Sequence, residues 1–236
     1  MVRHGYEKWK VYGNVFDNYT IRLLFKLSSE GHFENLVSPV SIGKEANVFT
    51  AKTLDNKVIV AKIYRLESCN FNKMYDYIKS DMRFENLKRQ RRKVIFAWVM
   101  REYQNLMKAR EAGVNVPRPL AIKQHILILE MIGDKTPAPK LKDVDRVDRE
   151  ILAERVILNM KKMYTAGLVH GDLSEYNILV HNNTPYFIDF SQGTTKKDPN
   201  YAEYWERDLK NVSKFLTNKL KLKVSEDDIK KKIGYV

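Results

Sequence analysis

Three polar side chains follow one another at short spacings in the segment Leu168–Phe190, LVHGDLSEYNILVHNNTPYFIDF. Asp172 stands in an HGD tripeptide, Asn177 lies five residues later, and Asp189 ends an apolar run. Phosphoryl transfer needs one carboxylate to orient and deprotonate a hydroxyl, and an amide oxygen with a second carboxylate to hold Mg²⁺ on the phosphates. The segment therefore predicts such a site, with Asp172 as the base and Asn177 and Asp189 as metal ligands.

Two short apolar stretches would position these side chains. Asn177–Val180 and Tyr186–Ile188 predict strands, and the turn His181–Pro185 would join them. Asp172 would precede the hairpin, Asn177 would begin it and Asp189 would end it. The three polar groups would then lie together at its open end. The alternative is a chance HxD tripeptide beside a buried hairpin.

A lysine and a glutamate upstream stand among apolar residues. KVIVAKIY, Lys57–Tyr64, predicts a strand with Lys62 on an apolar face. Val94–Ala112 predicts a long helix with Glu102 on its apolar stripe. Because an isolated buried charge is costly, we expect Lys62 and Glu102 to pair and to aim the lysine at nucleotide phosphates. The alternatives are a lysine that reaches water from an edge strand and a glutamate in a helix surface pair.

A turn with one glycine precedes the lysine strand. SIGKEANVFTA, Ser41–Ala51, lies between strand-like segments and could lay backbone N–H groups against phosphates. It matches neither a Walker A loop nor the GxGxxG of ordinary protein kinases. A plain hairpin turn is the alternative.

A predicted strand further on ends at a possible hinge. HILILEM, His125–Met131, is followed by Gly133 and by the proline-rich stretch Thr136–Pro139. Such a strand end suits a connection between two lobes, where the backbone of Glu130 and Ile132 could bond the edge of an adenine ring.

The strongly basic composition indicates which class of binding partner to expect. The 236 residues carry a formal net charge of +13, which favours a polyanion such as RNA or a ribonucleoprotein, although Lys-rich solvated faces explain it equally well. Lys79–Lys93 holds seven basic residues against two acidic ones and is the candidate contact. It belongs to a charged, irregular stretch, Phe71–Lys93, and could itself be a mobile loop or a basic helix that leads into the next element.

Composition also predicts the compartment. A single cysteine, Cys69, allows no intramolecular disulfide and agrees with a reducing environment. No apolar run reaches the roughly 18 residues of a membrane span, and the N-terminus lacks the apolar core of a signal peptide. We therefore expect a soluble, cytoplasmic protein with no membrane contact.

The remaining helices are predicted from their apolar periodicity. Asn18–Ser29 predicts a short amphipathic helix added before the first strand, Ile151–Tyr164 a helix that leads into the HGD segment, and Tyr201–Leu220 a helix after it. Asp208 has the spacing of a helix-surface residue, and no chemistry is assigned to it.

The elements stand in an order that resembles the protein-kinase fold: phosphate turn, strand lysine, helix glutamate, hinge, HxD, Asn and strand Asp. Several motifs are similar to those of the RIO family of atypical kinases, and above all of its first subfamily. They are SIGKEANV at Ser41–Val48, GVNVPRP at Gly113–Pro119, PAPKL at Pro137–Leu141, HGDLSEYN at His170–Asn177 and IDFSQG at Ile188–Gly193. The resemblance extends from about Asn14 to about Phe215.

The resemblance implies a bilobal α+β fold of the protein-kinase type. Residues 1–35 would form an N-terminal helical extension, residues 36–132 a β-rich N-lobe, and residues 133–236 a truncated helical C-lobe. It implies an ATP-dependent serine/threonine kinase or ATPase that uses Mg²⁺ or Mn²⁺ and acts on the pre-ribosomal small subunit.

The same resemblance assigns roles to single residues. Catalysis falls to Asp172 as base and to Asp189, the aspartate that would be phosphorylated in an ATPase cycle. Asn177 and Asp189 would hold the metal. The ATP-binding set is Ser41, Gly43, Lys44, Val48, Lys62, Glu102, Glu130, Ile132 and Asn177.

Two departures keep other functions open. Ser174 replaces the lysine of ordinary protein kinases, and Gly171 of the HGD tripeptide is commoner in small-molecule phosphotransferases. Only 47 residues follow Asp189 and they contain no APE motif, so a full peptide-binding platform is not expected. The alternatives are a small-molecule phosphotransferase, for which the stretch between Gly133 and Val169 is short, and a nucleotide-gated RNA-binding scaffold.

Overall fold

Alternating apolar residues build an antiparallel sheet around the predicted lysine strand. The computed structural model describes residues 9, 12, 13 and 15–235; residues 1–8, 10, 11 and 14 of the predicted N-terminal extension, and residue 236, lie outside the described part. The sheet has the order β1-β2-β3-β5-β4. Its strands are β1 (Asn35–Ile42), β2 (Ala46–Lys52), β3 (Val58–Tyr64), β4 (Pro119–Lys123) and β5 (Ile126–Glu130).

One face of β3 forms the core of this sheet. Ile59, Ala61 and Ile63 are buried, whereas Val58, Val60 and Lys62 on the other face are half-buried. Period-2 alternation of a strand explains the division. Lys62 therefore lies on the more open face of the sheet and not in its apolar core.

Helix α1, Asn18–Ser29, has the bounds that the sequence predicted. The side chain of Asp17 caps it by accepting from the Thr20 N–H at 2.6 Å. Its apolar stripe, including Leu24 and Leu27, is buried in one cluster with residues of β2, β3 and β5. The helix is thus an integral part of the core of the sheet.

The second part of the chain is mainly helical. Its helices are α2 (Phe71–Ile78), α3 (Arg91–Glu111), α4 (Arg149–Thr165), α5 (Tyr201–Asn218) and α6 (Glu226–Ile233). Two short ladders join β6 (Leu168–Val169) to β9 (Thr194–Thr195) and β7 (Ile178–His181) to β8 (Thr184–Phe187). Three 3₁₀ turns lie at Met82–Phe84, Leu141–Asp143 and Phe190–Gln192.

Two compact units result. The first contains the residues up to Cys69 together with Pro119–Met131, and the second contains Asn70–Arg118 together with the residues from Ile132 onward. The segment with α2 and α3 groups with the second unit because α3 packs against α2 and against the turn after Asp189. The lobe boundaries predicted from the sequence stay a prediction.

Sequence analysis missed several elements, among them α2, β4 and α6. The stretch expected to be irregular contains α2, which Asn70 caps through the Lys73 N–H and which buries Met74 and Ile78 one turn apart. The second is β4, which begins at Pro119; this proline is tolerated because β4 is an edge strand. The third is α6, which a Ser225 capping box begins.

None of the helices among residues 15–235 is both long and apolar enough to span a bilayer.

Candidate active site

The β7–β8 hairpin brings the predicted metal ligands to one end. Its two-residue turn is Asn182–Asn183, and both residues have positive φ, 51° and 55°. Asparagine tolerates this conformation better than most residues, and such turns match the twist of a hairpin. The Ile188 N–H donates to the Asn177 carbonyl at 3.0 Å, which extends the ladder by one pair. Asn177 therefore lies across from the residue before Asp189, and the predicted hairpin is confirmed.

Asn177 closes the catalytic loop onto Asp172. Its amide nitrogen donates to the Asp172 carbonyl at 2.8 Å and to the Asp172 carboxylate at 3.1 Å. Because the nitrogen is used in this way, the amide oxygen of Asn177 is turned away from Asp172. The loop thus fixes both the carboxylate of Asp172 and the direction in which Asn177 presents its oxygen.

The environment of Asp172 favours its protonated form. Burial raises its pKa most, and the negative charge of Asp189 raises it further. The hydrogen bond from Asn177 and the positive charges of Arg207 and Lys73 act in the opposite direction. The pKa of Asp172 therefore lies above that of an exposed aspartate.

Asp189 adopts a backbone conformation that is uncommon for its type. Its φ is 64° and its ψ is 61°, in the left-handed region. The Ser191 hydroxyl donates to Oδ1 of its carboxylate at 2.7 Å. Backbone strain of this kind is found where a side chain must be presented in one direction.

The donor set fits a hard cation. Mg²⁺ prefers carboxylate and carbonyl oxygens and keeps several water or phosphate ligands. Asn177 contributes an amide oxygen to this donor set, and Asp189 contributes a carboxylate. Within the described ranges, no group of three or more His, Cys, Asp or Glu side chains is arranged to hold a metal ion.

His170 supports the catalytic loop through its buried ring. Its ring is fully buried and lies 4.5 Å from the Phe190 ring, centroid to centroid. Its Nε2 lies 2.9 Å from the Ile188 carbonyl, and its Nδ1 accepts from the Asp172 N–H at 3.3 Å. Because a carbonyl can only accept, the neutral ring with its proton on Nε2 satisfies both contacts. The histidine of the HGD tripeptide is therefore a structural support.

Asp208 is fully buried, so its prediction as a helix-surface residue is wrong. Its carboxylate accepts from the Gly171 N–H at 2.8 Å and from the Leu173 N–H at 2.9 Å. Burial raises its pKa to about 7. Asp208 stands three residues after Trp205 on the buried stripe of α5, and this spacing was the signal that could have revealed it.

Arg207 is a second support that sequence analysis missed. Its guanidinium donates to the Gly171 carbonyl and, at 3.3 Å, to the Tyr77 hydroxyl. The same group lies 4.7 Å from the centroid of the Tyr204 ring. Neighbouring residues of α5 thus bind the N–H and the carbonyl of one glycine in the catalytic loop.

Gly171 is required by this arrangement. Its φ is 78°, and a Cβ atom there would lie 2.9 Å from the Gln192 carbonyl oxygen. Both the conformation and the space therefore exclude a side chain.

Glu102 lies on the buried stripe of α3, as predicted, and is 1% exposed. Lys62 belongs to the other compact unit; its ammonium lies 5.0 Å from the centroid of the Tyr64 ring. The pairing of Lys62 with Glu102 stays a prediction.

The predicted phosphate turn joins β1 to β2. Ser41 pairs with Val48 across the ladder, and the Gly43 N–H donates to the Ala46 carbonyl at 3.0 Å. Lys44 is exposed at the tip. The turn is therefore a tight, solvent-facing hairpin.

The segment after β3 tethers this turn. The Ser68 hydroxyl donates to the Lys44 carbonyl at 3.1 Å, and the Cys69 thiol donates to the Glu45 carbonyl at 2.9 Å. The Arg65 N–H donates to the same Glu45 carbonyl at 2.9 Å.

The two predicted hinge residues fall in different units. Glu130 is the last residue of β5 and pairs with Ile59. Ile132 is buried, and its carbonyl accepts from the Ala138 N–H at 2.8 Å. Gly133 follows with a φ of 130°, and a Cβ atom there would collide with the Thr136 carbonyl. Their shared contact with an adenine ring stays a prediction, as does the convergence of both units on one triphosphate.

Comparison with known proteins agrees with the motifs. A family profile described as RIO domain matches residues 47–229. The RIO-type serine/threonine-protein kinase Rio1 of Haloferax volcanii is 39% identical over 210 residues, 89% of this chain and 72% of that protein. Rio1 of Methanocaldococcus jannaschii is 40% identical over 215 residues, 90% of this chain and 73% of that protein.

Solved structures agree on the fold. The Rio2 kinase from Chaetomium thermophilum, in an ADP/Mg²⁺-phosphoaspartate complex, matches with a TM-score of 0.69 at 21% identity. The match covers 92% of this chain and 67% of that chain. The predicted α+β fold of the protein-kinase type is confirmed. The chain belongs to the RIO family of serine/threonine-protein kinases, which are enzymes that transfer phosphate.

Proposed function

We propose that the chain transfers the γ-phosphoryl group of ATP to a serine or threonine hydroxyl, or to water, with Mg²⁺ or Mn²⁺ as the metal. The observation that carries the proposal is the closed loop in which Asn177 binds both the backbone and the carboxylate of Asp172. The negative charge of Asp189 also raises the pKa of Asp172. One base and two oxygen ligands are thus available at one end of a hairpin.

Each group has one role in this proposal. Asp172 accepts the proton of the attacking hydroxyl, and its raised pKa makes it a better acceptor than an exposed aspartate. Asn177 holds the metal through its amide oxygen, and Asp189 holds it through its carboxylate. When bound, the metal neutralises charge on the phosphates.

Asp189 also offers a route to hydrolysis. An ADP/Mg²⁺-phosphoaspartate complex is described for the Rio2 kinase from Chaetomium thermophilum. In this chain a carboxylate oxygen of Asp189 would form a bond to the γ-phosphorus as the bond to ADP breaks, and water would then hydrolyse the acyl phosphate. Phosphate on Asp189 that is released by hydroxylamine would identify this route.

The first unit supplies most of the nucleotide-binding residues in this proposal, whereas Glu102 and Ile132 belong to the second. The exposed turn with Ser41, Gly43 and Lys44 covers the phosphates, and Val48 covers the adenine. Lys62, half-buried on the open face of β3, contacts the phosphates and pairs with Glu102. The backbone of Glu130 and Ile132 binds the adenine edge.

The test compares Asp172→Asn and Asp189→Asn with Asp145→Asn. The Asp145 side chain is 93% exposed, so its substitution controls for the loss of one negative charge. We expect the first two variants to lose about 10²- to 10⁴-fold in ATP hydrolysis and autophosphorylation with Mg²⁺, because general base and metal contributions have this size. Turnover like that of Asp145→Asn in both would refute the proposal.

A basic segment supports the pre-ribosomal small subunit as the partner. Of the seven basic residues between positions 79 and 93, Lys79 pairs with Asp76 and Arg83 pairs with Asp81. The other five lie in the exposed run at positions 88–93, which reads KRQRRK. This run opens α3, whose first turn contains no acidic residue, so the helix dipole adds to the positive charge. RNA phosphates are the partner that such a surface fits.

Salt dependence tests this partner. Replacing Lys88, Arg89 and Lys93 by glutamine should flatten the dependence of affinity for single-stranded RNA on salt, by up to about one unit of slope per lost phosphate contact. The matched control is the same replacement at Lys230, Lys231 and Lys232 in α6, where three acidic residues occupy the first turn. Equal slopes for both triple variants would exclude this surface.

A further inference from the structure

A buried asparagine of α3 binds the loop that follows Asp189. Asn105 is fully buried, and its amide nitrogen donates to the Phe190 carbonyl at 2.9 Å and to the Gly193 carbonyl at 2.6 Å. Both bonds reach across more than 80 residues of sequence to the first turn after Asp189. One side chain thereby ties α3 to the backbone next to a proposed metal ligand.

The loop is shaped to receive this side chain. Gly193 has a φ of −62°, a value that every residue type adopts, so its backbone does not require glycine. A Cβ atom there would nevertheless lie 2.8 Å from the Val169 carbonyl oxygen and 3.1 Å from the amide nitrogen of Asn105. The close approach of the Val169 carbonyl and of the Asn105 amide therefore explains the glycine at this position.

The orientation of the amide is fixed from the other side. The Arg83 guanidinium donates to the Asn105 amide oxygen at 2.9 Å. Asp81 holds that guanidinium through two bonds, of 2.9 and 2.6 Å, and also lies 3.2 Å from the guanidinium of Arg101. The oxygen of Asn105 must face the arginine, so its nitrogen must face the two carbonyls.

We propose that Asn105 is a positioning residue that holds the Asp189 carboxylate in the direction needed for metal binding. This inference rests on the proposed function. Asp189 has a left-handed backbone, which the surrounding structure must maintain against relaxation. The two bonds from Asn105 fix the peptide group after Asp189 and the end of the same turn. Without them the turn relaxes and Asp189 loses its direction, while Asp172 and Asn177 stay in place.

The first test compares Asn105→Ala with Asn159→Ala. Asn159 is a matched control because it is 1% exposed in α4 and its amide also binds backbone, at Asn115 and Pro185. We expect Asn105→Ala to raise the Mg²⁺ concentration for half-maximal ATP hydrolysis by about 10- to 100-fold, as for other residues that orient metal ligands. Asn159→Ala should lose comparable stability and leave this concentration unchanged.

Two further variants separate positioning from folding. Asn105→Asp keeps the size of the side chain and the acceptor for Arg83, but it sets a carboxylate oxygen against the two carbonyls. Gly193→Ala disturbs the same contact from the loop side. Both should shift the Mg²⁺ dependence in the same direction as Asn105→Ala.

Hydrogen exchange gives a readout that needs no activity. Amide exchange in residues 190–196 should be faster in Asn105→Asp than in Asn159→Ala at equal global stability. If the wild type neither hydrolyses ATP nor phosphorylates itself, the proposed function falls, and this comparison still decides whether Asn105 holds the loop. Two results would overturn the inference. One is amide exchange in residues 190–196 that is as slow in Asn105→Asp as in Asn159→Ala. The other is an equal shift of the half-maximal Mg²⁺ concentration in Asn105→Ala and Asn159→Ala.

Discussion

The catalytic loop and the glycine turn are two backbone segments that we propose to act on the same triphosphate, yet they are held in different ways. Asp208, Arg207 and His170 bind the catalytic loop, and the first two come from a helix more than 30 residues away. The glycine turn is exposed at its tip, and its tethers come from the segment Arg65–Cys69, little more than 20 residues away.

The difference follows from what each segment must do. A base and a metal ligand work only within narrow limits of position, so the backbone that carries them is fixed by buried polar groups. A turn that covers phosphates must open for nucleotide exchange, and low local stability allows this. Substitutions in the supports of the loop should therefore cost both stability and turnover, and those in the tethers of the turn should affect only ATP binding.

The largest effect is expected for Asp208→Asn. The amide nitrogen of asparagine cannot accept a hydrogen bond, so the N–H of Gly171 or that of Leu173 is left buried without a partner. This costs about 1–3 kcal/mol of unfolding free energy. The displaced loop should also lower kcat by on the order of 100-fold. Urea unfolding and ATP hydrolysis at about pH 8 measure both quantities.

Asp145→Asn, at an exposed position, is the control for Asp208→Asn and should resemble the wild type in both measurements. If Asp208→Asn kept wild-type turnover, the catalytic loop would be positioned without α5, and the contrast between the two segments would fail.

The second-largest effect is expected for Gly171→Ala. The new Cβ atom would meet the Gln192 carbonyl at 2.9 Å in a left-handed conformation, so strain and overlap add to about 2–3 kcal/mol. Gly113 has nearly the same φ, 74°, and only the Lys162 ammonium lies near its missing side chain, at 3.9 Å. Gly113→Ala should cost only the conformational strain, about 1 kcal/mol. If both variants lost the same unfolding free energy in chemical denaturation, the overlap at Gly171 would be relieved at no energetic cost.

The titration of Asp208 gives a third effect, on how stability depends on pH. Its pKa in the folded chain is about 7, above the ordinary value of 3.8, so the native state binds a proton that the unfolded state has released between these values. Stability from this group is therefore full below about pH 4 and falls as the pH rises to about 7, by up to about 1.4 kcal/mol per pH unit. Asp208→Asn lacks this slope. Unfolding free energies at about pH 5 and 7 would contradict the assignment if both proteins showed the same change.

The sequence predicted what local spacing determines. The bounds of α1, the β7–β8 hairpin and the buried position of Glu102 all follow from periodicity within one element. Asp172 and Asn177 could be paired because five residues separate them in one loop.

Asp208, Arg207 and Asn105 could not be predicted in the same way. Each binds backbone groups at least 35 residues away, and a periodic pattern does not say which buried polar residue meets which N–H or carbonyl group. Helix α2 was missed because an eight-residue helix in a charged stretch has too few turns to establish a period. Supporting residues that come from distant segments can thus be recognised only from the fold, whereas the reacting groups can be recognised from the sequence.

The smallest effect, and the sharpest test of the contrast, is expected for Ser68→Ala. The exposed hydroxyl holds the Lys44 carbonyl, so its removal should change the unfolding free energy by less than about 0.5 kcal/mol. The untethered turn must be ordered when ATP binds, which raises KM for ATP a few-fold and leaves kcat unchanged. Ser28 makes a matched bond, from its hydroxyl to the Glu34 carbonyl at 3.2 Å in the same unit, and Ser28→Ala should change neither KM nor kcat. A fall in kcat for Ser68→Ala would mean that the glycine turn is positioned as strictly as the catalytic loop, because only an interaction made in the transition state lowers kcat in this way.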